Sequence, residues 1–189
     1  MRGRCATCGS RSRCDAHFGG RLMTYRAVIA FGSNLGDRLA YLQGGVDALL
    51  DTPGTTYIAQ SAIYETDPVG GPEQPAFLNA IVIVDTMLPP AALLDRAHAI
   101  EEAFERARIE HWGPRTLDVD IISVNDEQFD EGDLTIPHKS AHERAFVLVP
   151  WLDADPDAEL MGHGKVADVL STMDRSGVRS SEAALREPA

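Results

Sequence analysis

The order in which two kinds of apolar periodicity follow one another limits this chain more than any single residue does. Residues 26–32 (RAVIAFG) form a continuous apolar run of strand length. From Arg38 to Asp51, Leu39, Leu42, Val46, Leu49 and Leu50 recur at helical spacing, and Pro53-Gly54 closes the run. Gly44 and Gly45 weaken that helix. Residues 55–65 favour strand, as do 78–85 (LNAIVIVD) and 117–124 (LDVDIISV). Between the last two, Pro89 and Pro90 suit a first helical turn, and Leu93, Leu94, Ala97, Ile100 and Phe104 form its apolar stripe.

The resulting order, β-α-β-β-α-β, predicts an α+β fold of the ferredoxin-like kind: an antiparallel sheet with helices on one face. A short helix around 141–152 and further C-terminal elements are expected to cover part of the rest. Residues 174–189 read as a polar, frayed end. With 189 residues, 44% of them hydrophobic, the chain has material for one domain with a proper core. No apolar run approaches the roughly 20 residues needed to span a bilayer, so no membrane partner is expected.

Charge divides the chain. Residues 1–22 carry five arginines against Asp15 and all three cysteines, Cys5, Cys8 and Cys14. The remaining 167 residues hold 12 basic and 28 acidic groups. An acidic body is a poor match for nucleic-acid backbones. The absence of cysteine from the body fits a reducing cytosol, so a cytoplasmic protein is expected. Cys5-x-x-Cys8 with His17 supplies part of a zinc set, but no second CxxC completes it. Residues 1–22 therefore read as a poorly ordered extension, with Met23 as an alternative start, before a body spanning 23–173.

Against that sparse basic background one acidic pair is informative. Asp118 and Asp120 stand at i and i+2 in a strand, so both carboxylates share one face. A bare pair of this kind is most often two solvated charges. Here six potential cations bracket it: Arg106, Arg108 and Arg115 before, His138, Lys139 and Arg144 after. Carboxylates that repel one another accept a hard cation such as Mg²⁺, and arginine forks match phosphate oxygens. The grouping points to a polyphosphate held through Mg²⁺. Neither GxxxxGK[ST] nor GxGxxG occurs, so side chains and metal must grip the phosphates. Gly32-Ser33-Asn34-Leu35-Gly36 reads better as a tight strand-to-helix turn than as a phosphate loop. The loop 67–76, rich in Pro and Gly, has the length of a binding loop. Asn79 follows it with an amide able to read a heterocycle, and Phe77, Trp112 and Phe146 offer rings for stacking.

Four segments together resemble the 6-hydroxymethyl-7,8-dihydropterin pyrophosphokinases of folate biosynthesis. They are AFGSNLGDR (30–38), YETDPVGGPEQPAFLNAIV (64–82), WGPRTLDVDI (112–121) and IPHKSAHERAFVLVP (136–150), in the family's order. The resemblance implies a ferredoxin-like fold and transfer of the β,γ-pyrophosphoryl group of ATP to the pterin hydroxymethyl oxygen, releasing AMP. It implies two Mg²⁺ ions on Asp118 and Asp120, and catalytic roles for Arg106 and Arg115 on a mobile loop. It implies ATP contacts from Glu101, Arg106, Arg108, Trp112, Arg115, Ile121, Leu134, Thr135, His138, Lys139 and Arg144. The pterin pocket it implies comprises Thr66, Asp67, Val69, Phe77, Asn79, Trp112, Asp118 and Phe146. The chain departs from the family pattern at Asp67, Phe77, Glu105, His111 and Lys139.

Two other readings start from the same residues. One is a ferredoxin-like module that binds nucleotide or pterin without turnover, which the intact Asp118, Asp120 and Arg115 oppose. The other is a Mg²⁺-dependent phosphotransferase for another hydroxyl, which Asn79, Trp112 and Phe146 together oppose. A monomer is expected, with ATP and the pterin as its partners.

Overall fold

A computed structural model of the chain describes residues 23–68, 73–104 and 116–188. The segment with Cys5, Cys8, Cys14 and His17 lies outside them. The elements run in chain order as β1 (Tyr25–Ser33), α1 (Arg38–Leu50), β2 (Thr55–Gln60), β3 (Tyr64–Thr66), β4 (Phe77–Thr86), α2 (Pro90–Ala103) and β5 (Asp118–Val124). There follow the hairpin of β6 (Phe129–Glu131) and β7 (Leu134–Ile136), a 3₁₀ turn at Ala141–Glu143, and α3 (Ala145–Ala154). The two-residue strands β8 (Glu159–Leu160) and β9 (Gly164–Lys165), then α4 (Val166–Ser171) and β10 (Val178–Ser180), complete the fold.

The main sheet is antiparallel, ordered β10-β3-β4-β1-β5, with β2 also paired to β4. The stretch 55–65, read from sequence as one strand, is two. Ser61 interrupts it: its Oγ accepts the Ile81 N–H at 2.9 Å, replacing a ladder contact with a side-chain one. The segment beyond residue 174 is not frayed. Val178–Ser180 pairs with β3, the Ser181 N–H reaches Ile63 O at 2.9 Å, and Leu185 is buried in the core. An edge strand needs a free backbone ladder rather than apolar side chains, so polarity alone misread it.

Both faces of the sheet are covered, and strand alternation sorts the side chains between them. Ala27, Ile29, Phe31, Leu78, Ala80, Val82 and Val84 pack with α1 and α2. Val28, Ile81, Ile83 and Ile122 pack with α3, α4 and β8 through Leu148, Trp151, Leu160 and Leu170. Asp37 caps α1, its carboxylate accepting the Ala40 N–H at 3.1 Å. The glycines of α1 are points of close approach. A Cβ on Gly44 would lie 2.6 Å from the Phe104 ring, and one on Gly45 2.8 Å from Leu117. Arg96 joins the two helices, donating from Nη2 to Ala48 O of α1 and from Nε, at 2.8 Å, to Thr52 Oγ1 just past its end.

Candidate active site

Three neighbouring strands bring the candidate residues to one end of the sheet. In register, Gly32 of β1 lies between Asn79 of β4 and Asp118 of β5. One step along, Ala30 lies between Ile81 and Asp120. Alternation places Asn79, Gly32, Asp118 and Asp120 on the face that carries α3. A Cβ at Gly32 would sit 2.9 Å from Asn79 Oδ1 and 3.9 Å from both Asp118 Cβ and a Phe77 ring carbon. The missing side chain thus leaves a notch walled by an amide, a carboxylate and an aromatic ring.

The amide wall is held firmly. Asn79 is 9% exposed, and its Nδ2 donates to Thr66 Oγ1 at 2.6 Å. Thr66 is itself buried. A buried amide fixed on its nitrogen side presents its oxygen in one direction, as recognition of a ring's donor edge requires.

On the carboxylate wall, Asp120 Oδ2 accepts from Arg144 Nη1 at 3.2 Å. Arg144 opens α3 and lies with its guanidinium carbon 5.6 Å from the Phe146 ring centre. It also approaches His138 Nε2 at 3.5 Å, while His138 Nδ1 accepts the Ser140 N–H at 3.2 Å. Burial, with Arg144 and Lys139 adding to it, pushes the His138 imidazole down to about 4, so it is neutral at pH 7. Among the described residues, no three His, Cys, Asp or Glu side chains gather to hold an ion alone. Mg²⁺ does not require that. One or two carboxylates suffice, with water and substrate phosphates completing the octahedron. Asp118 and Asp120, two hard oxygen donors on one face, fit such an ion.

Other expected contacts have different surroundings. Glu101, expected beside the nucleotide, is 1% exposed, and its Oε1 accepts the Val119 N–H at 3.0 Å. It lies on the inward side of α2 and grips β5 between the two aspartates. Ile121 and Leu134, expected to flank adenine, are buried among the residues packed on α1 and α2. Thr135 donates its hydroxyl to Asp130 Oδ1 at 3.2 Å across the β6–β7 hairpin, and Lys139 is exposed. Asp67 directs its carboxylate to Arg179, at 3.1 and 2.6 Å, and that guanidinium holds it below the usual carboxylate range. Val69, Glu105, Arg106, Arg108, His111, Trp112 and Arg115 lie outside the described residues.

Sequence reasoning did not find the work of the turn after β1. Asn34, 2% exposed, donates from Nδ2 to Gln74 Oε1 at 3.0 Å and to Pro75 O at 3.2 Å. Arg38 donates from Nη1 to Ala76 O at 2.8 Å. The turn therefore anchors the end of the loop that precedes Asn79. The available signal was surplus: Ser33, Asn34 and Asp37 are all capping types, and a helix start uses one.

Residues 28–156 match the family described as 7,8-dihydro-6-hydroxymethylpterin-pyrophosphokinase (HPPK). The chain belongs to the HPPK family. Proteins named 2-amino-4-hydroxy-6-hydroxymethyldihydropteridine pyrophosphokinase are similar to it over most of both lengths. The one from Methylorubrum extorquens is 42% identical over 157 residues, covering 83% of this chain and 99% of the relative. That of Mycobacterium tuberculosis is 44% identical over 170 residues, covering 82% and 88%. That of Pseudomonas aeruginosa is 38% identical over 156 residues, covering 82% and 96%. In solved structures the fold resembles Plasmodium falciparum HPPK-DHPS, with a TM-score of 0.62 at 16% identity. That match covers 81% of this chain but 45% of the longer protein, and it speaks for the HPPK fold alone.

Proposed function

We propose that this chain performs the reaction named for its HPPK relatives: transfer of pyrophosphate from ATP to the hydroxymethyl oxygen of 6-hydroxymethyl-7,8-dihydropterin, in folate biosynthesis. AMP and the pterin diphosphate are the products. The observation that carries this reading is the row Asn79–Gly32–Asp118, which sets an amide and the carboxylate pair on either side of β1 with no side chain at Gly32 between them. A substrate whose flat ring meets the amide has its exocyclic hydroxyl directed toward the carboxylates. The strand order, β5-β1-β4 with β2 and β3 beyond, supports the ferredoxin-like arrangement for the family domain.

In this reading Asn79, Thr66, Phe77 and Phe146 receive the pterin together with Asp67, Val69, Trp112 and Asp118. Asp118 and Asp120 would hold two Mg²⁺ ions, which when bound neutralise phosphate charge and polarise the attacking hydroxyl. Arg144, Lys139 and His138 meet the phosphates from the α3 side, with Arg106, Arg108 and Arg115 as further phosphate ligands. His138, neutral at pH 7 with Nδ1 accepting from Ser140, can donate a hydrogen bond there from Nε2 without adding charge. Thr135 and the backbone of Ile121 and Leu134 border the nucleotide base. Glu101 acts from beneath, fixing the strand that carries both aspartates. Pyrophosphoryl transfer asks for alignment and charge neutralisation more than covalent help, and the site supplies those. Among the described residues no helix is long and apolar enough to cross a membrane.

The test is to incubate the protein with ATP, Mg²⁺ and the hydroxymethyl pterin and identify the nucleotide product. AMP that appears only with pterin present is expected. ADP would replace this reading with a one-phosphate kinase. Absence of any product with both ligands bound would favour a binding module.

A further inference from the structure

The C-terminal segment lies beyond the residues that match the family, yet it is built onto the strand whose Thr66 fixes the amide of the notch. β10 continues the sheet past β3, pairing Val178 with Thr66, Arg179 with Glu65 and Ser180 with Tyr64. The Asp67 N–H donates to Gly177 O at 3.0 Å, and the Ser181 N–H to Ile63 O at 2.9 Å. The Arg179 guanidinium grips both oxygens of Asp67, at 3.1 and 2.6 Å. Downstream, Leu185 is buried, and Gln60 Nε2 donates to its carbonyl at 3.4 Å. The Arg186 N–H donates to Gln43 Oε1 at 2.7 Å, and its guanidinium meets Asp47 Oδ2 at 3.0 Å. The segment is therefore a strap, fastened to α1 at one end and to the root of loop 67–76 at the other.

β3 is three residues long, and Thr66 is its last. Thr66 has Phe77 on one side and Val178 on the other, and its hydroxyl is the acceptor that fixes Asn79. Without β10, this short strand would keep one neighbour and an open edge. We propose that segment 175–186, through Arg179, is a positioning element for the pterin site. It holds Asp67 and Thr66 so that the Asn79 amide faces the notch. The proposal rests on the reading of that notch as the pterin site. Arg179 is a positioning residue that touches Asp67 and has no substrate contact of its own.

Steady-state kinetics on Arg179→Ala and Arg179→Pro test this, alongside thermal melts and the unaltered chain. The alternation of close pairs turns the Arg179 N–H toward β3, so proline removes both the ladder donor and the guanidinium. Arg179→Ala is expected to raise the pterin KM about 2- to 5-fold, as suits an exposed but bidentate pair, with ATP KM and kcat within about twofold. Arg179→Pro is expected to raise the pterin KM further, again with the ATP KM little changed. Arg179→Lys, which keeps the charge but not the fork, should fall between Arg179→Ala and the unaltered chain. An unchanged pterin KM in both the alanine and proline variants overturns the proposal, as does an equal rise for ATP and pterin. A lowered melting temperature with unaltered pterin KM would leave the strap a structural element only. If the unaltered chain neither binds pterin nor forms AMP, the reading of the notch itself falls, and the strap proposal with it.

Discussion

Gly32→Ala separates recognition from folding at the notch. No unusual φ is required at Gly32, so the backbone admits alanine. Where that holds, the loss of unfolded-state freedom stabilises the native chain by about 0.4–1 kcal/mol. Against it stands a Cβ only 2.9 Å from Asn79 Oδ1. The amide cannot retreat freely, because its nitrogen is bonded to Thr66 at 2.6 Å and the residue is 9% exposed. Either the bond to Thr66 breaks, at about 1 kcal/mol, or strands shift, at about 1–3 kcal/mol. The net loss of stability, between about 0 and 2.6 kcal/mol, should leave the protein folded. Binding should suffer more, because the methyl occupies the space the ring requires and turns its hydrogen-bonding partner. A loss of about 1.4–2.8 kcal/mol is a 10- to 100-fold rise in pterin Kd. Fluorescence titration with pterin, beside a separate ATP titration and a melt, measures all three quantities. Pterin affinity within twofold of the unaltered chain, in a folded Gly32→Ala protein, would refute the assignment of the notch.

Three further outcomes are expected. Asp118→Ala or Asp120→Ala should lower kcat/KM by at least about 100-fold, since either change removes a charge-bearing metal ligand; near-normal turnover at saturating Mg²⁺ would sink the assignment. His138 titrates lower in the fold than in the unfolded chain, so the unfolded chain takes up its proton first. Its contribution to stability is fully present above about pH 6.5 and declines as pH falls toward 4. Allowing for its partly open side, about 1 kcal/mol should be lost between pH 7 and pH 5. Urea unfolding at both pH values should show a smaller difference for His138→Asn, and an equal difference would contradict the neutral, desolvated imidazole. Glu101→Ala should destabilise the fold by about 1–3 kcal/mol by leaving the Val119 N–H without that acceptor, and should also weaken Mg²⁺-dependent turnover. Glu101→Gln, which keeps an oxygen in place, should restore part of both.

Periodicity alone made the element order legible, because each strand and helix of the core buries a face that repeats at its own period. Residues 26–32 and 78–85 fall within β1 and β4, and 117–124 covers β5 with one residue to spare. The break at Ser61 was not legible, since it depends on a hydroxyl taking the Ile81 N–H in place of the backbone. β10 was hidden for a related reason: Val178, Arg179 and Ser180 pair through their main chain, and a single apolar side chain, Val178, sets no periodicity. At the site, the shared face of Asp118 and Asp120 follows from spacing within one strand. The notch does not, because Asn79, Gly32 and Asp118 meet only once three strands adopt a particular register. The positions of Asn34 and Arg38 on the loop root required the same tertiary information. The bond from the Val119 N–H to Glu101 was equally out of reach, since it depends on how α2 packs on β5.

The coverage of the sheet on both faces has a kinetic consequence. β1 and β4 are central strands, flanked by paired neighbours and sealed above and below. Amides at Ile29, Phe31, Val82 and Val84 can exchange with solvent only when the domain opens as a whole, whereas β10 and β3 can peel from the edge at smaller cost. Gly32 and the Asn79 wall of the notch belong to the slow-exchanging part, while Thr66 belongs to the part that opens sooner. The Asn79 amide is therefore expected to lose its Thr66 partner first, at the margin of the sheet, long before the central strands open.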